Sequence, residues 1–432
     1  MPTERIPEQK YIVGFDLRDD FCQLSVMQDP GKRPPKEPVT FSLRDDAEQF
    51  DIPTAIAKVI GQNRWACGQD AARAAADGSS VYIPKLLSLA LEGSLVRIEN
   101  AKYEPTALLA LYISRCLALL GTKIQLENLA AVMFTSRVMD QKTIAVLENV
   151  TKRLNLNCQV YYESYASSWY NFMLMQADAV REPASILCEY EAGGQLRVEK
   201  LFFNQHTKPI VAYREEKIYP GIFGDTDKER DEAFAAIMKE ELRGNRFSSV
   251  YLIGNGFAGN WMKASVRLLC RGRRAFLGNN LYSKGAGYGG FFKLREPEIT
   301  TRYFFLDGSK LKANIGIRGL VRGREAYCSI VDAGVNWYEA EGTLDLVLED
   351  CAEFRFLLTP LTGGSPSEVQ MNLDGLPVRE GRAARIRLAL RMDTPEEITV
   401  TAKDLGFGEI FPSTGLSWEK KIEVGTGKEA KA

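Results

Sequence analysis

The sequence predicts an α/β body of two lobes followed by an all-β domain. Two observations lead. A hairpin followed by strand and helix begins near residue 11 and begins again near residue 184, and helical patterns stop at about residue 298. The third is length, since 432 residues exceed one ordinary core. A duplicated hairpin–strand–helix unit reads as two α/β lobes. The expected segments are therefore 11–128, 129–297 and 298–424, with a polar and disordered tail at 425–432.

Taken in order, YIVGFDL (11–17) and the alternating FCQLSVM (21–27) read as an antiparallel pair. A Pro- and charge-rich loop follows, and VTFSL begins a third strand. IPTAIAKV reads as a short strand and GQDAARAAA as a helix. Residues 105–121 read as an amphipathic helix with Pro105 early in it and Gly121 at its end. The second round runs LAAVMFT (129–135) as strand, DQKTIAVLENVTKRLNL as helix, CQVYYES as strand and YASSWYNFMLMQ as helix. Residues 184–203 read as a hairpin turning at Gly193-Gly194, 227–243 as a helix, SSVYLIG as a strand and NWMKASVRLLC as a helix. After residue 298, FRFLLTPL, SEVQMNL, ARIRLALRM and EITVTAKDL are short strands at the spacing of a β-sandwich.

Composition removes several functions. The net charge is -1, so no global positive field gathers a nucleic-acid backbone. The local cluster Arg271, Arg273 and Arg274 reads as a solvated helix end. No apolar run reaches a membrane span, and MPTERIPEQK lacks a signal-peptide core, so a cytoplasmic location without membrane insertion is expected. Eight cysteines without a C-x-x-C pair read as free thiols in a reducing compartment. A single histidine, His206, lies in a segment that reads as a turn between strands, which disfavours His-based triads and His-rich metal sites.

Gly254-Asn-Gly256-Phe-Ala-Gly259 fits G-x-G-x-x-G after a strand. It sits last in its lobe, and no acidic residue for a ribose follows a next strand, so a dinucleotide reading is disfavoured. A second glycine set lies at Lys284-Gly-Ala-Gly-Tyr-Gly-Gly290, and no P-loop motif occurs.

Those two segments, in that order, resemble the adenosine-binding end of the actin-like ATPase superfamily, in particular the DnaK-type heat-shock protein 70 family. IVGFDLRDDFCQLSVM is similar to the family's first phosphate loop, and SILCEYEAGGQLRVEKL to its second. IPTAIAKV resembles T-P-S-V-V, and the stretch from AAVMFTS to ESYASSWYNF resembles A-V-I-T-V-P-A-Y-F through N-E-P-T-A-A-A-L-A-Y. Tyr303–Asp307 sits where the family carries an apolar interdomain linker. The L-D-G-L-P turn at 373–377 and I-T-V-T-A-K-D at 398–404 resemble its substrate-binding β-sandwich. The resemblance implies an actin-like, ribonuclease H-like two-lobe body and a chaperone-type β-sandwich. It also implies a nucleotide cleft at Asp16, Lys85, Glu189, Gly193, Gly194, Gly254 and Gly256.

The departures from that pattern point away from hydrolysis. The family's Gly-Thr-Thr is Arg18-Asp19-Asp20, and carboxylates there repel phosphate. The second loop carries Glu191-Ala192 where glycines belong, and a family proline is Ser136. Asp16 reads either as a magnesium-organising carboxylate or as a cap of its turn. Lys85 reads either as the family's catalytic lysine or as a solvated helix residue. Only one helix fits between Gly224-Asp225 and SSVYLIG, where the family places its adenine-gripping subdomain, and no chain remains for a helical lid. The expectation is a pseudo-ATPase with no catalytic residue, no metal and no required cofactor, at most weak ATP or ADP binding, and a polypeptide partner held by the β-sandwich. The alternatives are a divergent ATP-binding chaperone ATPase and an actin-like scaffold. For partner binding, Leu320 and Val321 stand out in GIRGLVRGREAY (316–327), which reads as a loop; they either grip a partner or dock the sandwich. Arg318, Arg322 and Arg324 beside them favour an acidic partner.

Overall fold

The computed structural model describes residues 10–424 except 45–47, 122, 123, 125, 309, 336, 338, 339, 350, 364, 378, 380–383 and 395. The tail expected at 425–432 lies outside the described residues. The chain is a mixed α/β protein that divides into two compact units, Met1–Phe202 with Glu215–Arg302, and Phe203–Arg214 with Tyr303–Ala432.

Two sheets are built alike, the first of them wholly within the first unit. β1 (Tyr11–Leu17), β2 (Phe21–Gln28), β3 (Val39–Thr40), β4 (Leu129–Ser136) and β5 (Gln159–Ser164) lie in the order β5-β4-β1-β2-β3. β1 is antiparallel to β2 and parallel to β4, which is parallel to β5. In the second sheet, β6 (Ala184–Tyr190), β7 (Leu196–Asn204), β8 (Ile210–Tyr219), β9 (Ser249–Ile253) and β10 (Arg274–Leu277) lie in the order β10-β9-β6-β7-β8. β6 is again antiparallel to the next strand and parallel to β9. Both central strands are buried almost throughout, which explains their continuous apolar runs.

Helices α1 (Pro105–Ala118) and α2 (Gln141–Leu154) share one apolar core with the first sheet. Pro105 occupies the first turn of α1, where a missing N–H costs nothing, and the Asp140 carboxylate caps α2 at the Thr143 N–H. Helices α3 (Tyr165–Leu174) and α5 (Leu281–Arg295) pack on each other, and α5 also lies on β1, while α4 (Asp227–Glu241) contributes to the core of the second sheet. The glycine-rich run at 285–290 is therefore the middle of a buried helix. Its glycines serve close approach: a Cβ on Gly285 would sit 2.0 Å from the Ser168 carbonyl oxygen, and one on Gly14 2.1 Å from that of Ser283.

Several sequence expectations are corrected. The third strand is only two residues long. The helix expected from Asn260 starts at Ala264, because the Asp231 carboxylate accepts the N–H groups of Lys263, Ala264 and Ser265 and fixes the helix start there. A last short helix, Ile299–Arg302, extends past the expected end of helical structure.

In the second unit, Tyr303–Leu306, expected as a linker, is a strand, β11, parallel to Ile210–Tyr213. Beyond it, β12 (Ala313–Val321), β13 (Arg324–Val331), β14 (Glu341–Leu348), β15 (Glu353–Pro360), β16 (Ser367–Asn372), β17 (Ala384–Met392), β18 (Glu397–Asp404) and β19 (Ser417–Glu423) form two four-stranded sheets. Their orders are β13-β12-β15-β16 and β14-β17-β18-β19. One apolar core takes side chains from both, and β17 alternates buried and exposed along its whole length. The segment 316–327 is thus a hairpin and not a loop. Its turn at Arg322-Gly323 has positive φ at both residues, the geometry a two-residue hairpin needs.

Candidate functional site

The two sheets of the first unit place one carboxylate each at the penultimate residue of their first strand. Asp16 is the sixth residue of β1 and Glu189 the sixth of β6. Both are buried. Two negative charges so placed require a cation, and the chain supplies two. Arg18 donates from Nε and Nη2 to Asp16 Oδ2 at 3.2 and 3.1 Å, and from Nη1 to Glu189 Oε1 at 3.5 Å. Arg137, just past the end of β4, donates from Nη2 to the same Glu189 oxygen.

Tyrosines from the starts of α3 and α5 complete the site. Tyr165 and Tyr282 stack with ring centroids 3.9 Å apart. Tyr165 donates its hydroxyl to Asp16 Oδ1, and Tyr282 donates to Glu189 Oε2 at 3.2 Å. The Arg18 guanidinium lies 4.6 Å from the centroid of the Phe21 ring, within cation–π range, and close to both tyrosines. Burial works against the Glu189 anion, yet Arg137, Arg18 and Tyr282 outweigh it and hold its pKa below the ordinary carboxylate value. Burial likewise works against the Arg18 cation, but Asp16, Tyr165 and Glu189 keep it firmly charged.

Above this network lies a cleft of about 830 Å³, lined among others by Arg18, Asp19, Asp20, Glu189, Glu191 and Gly254. The three acidic residues that interrupt the phosphate-loop pattern, Asp19, Asp20 and Glu191, thus line one cleft. Asp19 is tied down: its carboxylate accepts the Ser88 N–H at 2.8 Å and the Ser88 hydroxyl. Glu191 accepts the Asn255 N–H at 3.1 Å, and Asn255 in turn accepts the Ala192 N–H at 2.7 Å. The Ala192 and Gly194 backbone N–H groups of the second loop are therefore already occupied by protein acceptors.

Of the other sequence candidates, Ser136 lines the cleft, and Asp16 lies against it through Arg18. Gly254 and Gly256 pack against Tyr190: a Cβ on the former would meet the Tyr190 carbonyl oxygen at 2.3 Å, and one on the latter the ring at 2.3 Å. Lys85 is exposed, with left-handed backbone, at the N-terminus of the helix Leu86–Glu92. Gly193 and Gly194 form the turn between β6 and β7. None of these three is among the lining residues. His206 is exposed in the turn between β7 and β8. Arg271 and Arg274 are exposed beyond the helix Ala264–Leu269. Among the described residues, no three His, Cys, Asp or Glu side chains converge to hold a metal ion, and no helix is long and apolar enough to cross a membrane. All eight cysteines are free.

Sequence reasoning missed Arg137, Tyr165 and Tyr282 and the role of Arg18. No local spacing connects residues 171 positions apart, as Arg18 and Glu189 are. The available signal was charge balance: two carboxylates expected at one place call for cations.

In the second unit, Leu320 and Val321 are 56% and 46% exposed at the tip of the β12–β13 hairpin. The pairing of β12 with β15 stops at Ile317, so residues 318–321 continue beyond it as a two-stranded arm. Arg318, Arg322, Arg324 and Tyr327 are also exposed on this arm.

The C-terminal model of DUF5716, a family of unknown function, matches residues 37–308, more than half of the chain. A domain of unknown function, DUF8552, matches residues 310–424. No curated protein matches the sequence. The chain belongs to the DUF5716 family.

Proposed function

We propose that this member of the DUF5716 family is a non-hydrolysing relative of the actin-like, DnaK-type chaperones. In this reading its former nucleotide cleft is latched by arginine, and a β-sandwich in its second unit captures a partner polypeptide. The observation that carries the reading is Arg18. Its guanidinium rests on Asp16 and Glu189, the two positions that the resemblance gives to the carboxylates of the phosphate loops. A cation fixed in the chain supplies there the counter-charge that a metal–nucleotide complex supplies in an active relative. The fold supports the kinship. Two sheets share one strand order, a buried helix pair packs between strands and glycine contacts, and only α4 stands where an adenine-gripping subdomain would lie. The two four-stranded sheets over one core support the sandwich assignment.

The test is thermal stability with millimolar Mg-ATP or Mg-ADP. A ligand at a hundred times its Kd adds about 2.7 kcal/mol, so the expected result is no shift and no phosphate release above background. Nucleotide stabilisation that vanishes in Asp16→Ala refutes the latch and favours a divergent ATPase.

Partner capture belongs to the hairpin arm. Its tip holds two exposed apolar residues amid three exposed arginines, and a two-stranded arm alone gains little from exposing them. Burying each against a partner contributes roughly 1.5–3 kcal/mol. The double substitution Leu320→Ser with Val321→Ser is expected to abolish co-purification of the partner without lowering the melting temperature. Unchanged capture sinks this assignment.

A further inference from the structure

We infer that the cleft of the first unit receives an extended organic cation, a polyamine or the basic side chains of a partner segment, where its relatives receive a nucleotide. The inference rests on the non-nucleotide reading above and goes on from it to a ligand.

The first support is the charge that remains once the latch is complete. Arg18 and Arg137 are committed to Asp16 and Glu189, Asp19 to Ser88, and Asp140 to the start of α2. What still lines the cleft is Asp20, Asp51 and Glu191 against Lys142. Among the described residues, no cationic side chain forms an ion pair with any of those three carboxylates. Burial, with Glu189 and Asp51 nearby, lifts the Glu191 pKa against the opposing effects of the Asn255 N–H and of Arg18.

The second support is a buried amide acceptor beside that cluster. Gln23 is 1% exposed and lines the same cleft. Its strand neighbours Cys22 and Leu24 belong to the core under the first sheet, so alternation turns Gln23 to the opposite face, with Phe21. Gln23 donates from Nε2 to Asp51 Oδ1 at 2.6 Å, and its Oε1 has no donor. Flipping the amide would set two acceptor oxygens 2.6 Å apart, so the orientation is fixed and the orphan is an acceptor. A buried acceptor on the wall of an acidic cleft calls for an N–H donor.

Geometry then selects the kind of cation. Among the described residues, no three of these carboxylates converge to hold a metal ion. Several carboxylates on the wall of a cleft of about 830 Å³ match a ligand that carries more than one positive charge.

The experiment is calorimetric titration of the full chain with spermidine and, separately, with a tetralysine peptide, at constant ionic strength set with sodium chloride. Saturable binding is expected. The double variant Asp20→Asn with Asp51→Asn should weaken it at least tenfold while leaving the melting temperature of the free protein unchanged, since both residues are exposed. Gln23→Met should weaken it several-fold. Binding of spermidine assigns a free polyamine, and binding of the peptide alone assigns a partner's side chains. Absence of saturable binding by either probe overturns the inference, as does an affinity that the double variant leaves intact. A parallel titration with Mg-ATP separates the two claims. Nucleotide binding sinks the pseudo-ATPase reading, whereas silence from all three ligands sinks only the cation site.

Discussion

Replacing Arg18 by methionine keeps an unbranched stem against Phe21 and removes the charge. Asp16, 0% exposed, would then hold only the Tyr165 hydroxyl, while Glu189 would keep Arg137 and Tyr282. Breaking one partner out of a buried ion pair costs about 3–5 kcal/mol. The Arg18 side chain is 17% exposed and Glu189 retains a second arginine, so the lower end, about 3 kcal/mol, is expected. Adding Asp16→Asn removes the orphaned charge and should return most of that loss, to within about 1 kcal/mol of the parent. Arg18→Lys should fall between, because one ammonium cannot reproduce a fork that reaches Asp16 with two nitrogens and Glu189 with a third. Urea unfolding followed by tryptophan fluorescence reads this directly, since Trp169 is fully buried in α3. A loss below about 1 kcal/mol in Arg18→Met, or no recovery in the double variant, would show that the latch does not hold the cleft.

Two further predictions concern stability, and a third follows acid. Burial raises the Glu163 pKa to about 8, against the opposing effects of Ser168, Lys293 and Asn171. Its contribution is therefore full below the unfolded value of 4.5 and is lost as pH rises through about 8. At about 1.36 kcal/mol per unit the ceiling is about 5 kcal/mol, and partial exposure of the residue reduces it to about 2. Glu163→Gln should match the parent in thermal melts at pH 5 and exceed it by that amount at pH 9; parallel curves would refute the shift. Gly285→Ala gains about 1 kcal/mol of helix propensity but drives a Cβ into the Ser168 carbonyl, so a net loss of about 1–2 kcal/mol is expected. Gly278→Ala, with nothing within 4 Å, should be neutral. Glu189, held below its ordinary pKa, contributes stability above about pH 4.5 that fades as pH falls through its folded value. Glu189→Gln should flatten the acid limb of the melting curve.

Much of the fold was legible because it is written in local periodicity. The strands at 11–17 and 129–136 are apolar runs buried on both faces, and α2 begins at an aspartate cap. The repeated hairpin–strand–helix order was visible for the same reason and recurs as two sheets of one strand order, but the boundary expected at 128/129 falls inside the first sheet, which the strands at 129–136 and 159–164 complete. What escaped was decided by contacts distant in sequence. Arg18 read as a lost phosphate contact because nothing beside it shows that its side chain turns back onto Asp16. The glycines at 285–290 read as part of an adenosine-binding end because a glycine-rich helix is locally improbable; only the closeness of α3 and β1 makes it necessary. The hairpin at 322–323 was hidden by an Arg-Gly turn where Asn-Gly is the usual signal.

The equivalence of Asp16 and Glu189 in their two sheets has a consequence for how this protein senses its surroundings. A counter-ion delivered from solution leaves on dilution, yields to chelators and responds to energy charge. A guanidinium two residues along the same backbone has a local concentration fixed by covalent bonds. On the latch proposed above, any signal that loosens the junction of the two sheets must compete with an intramolecular partner. Loosening it then takes something that can pry Arg18 or Arg137 away, such as a strong acid or a tightly seated ligand.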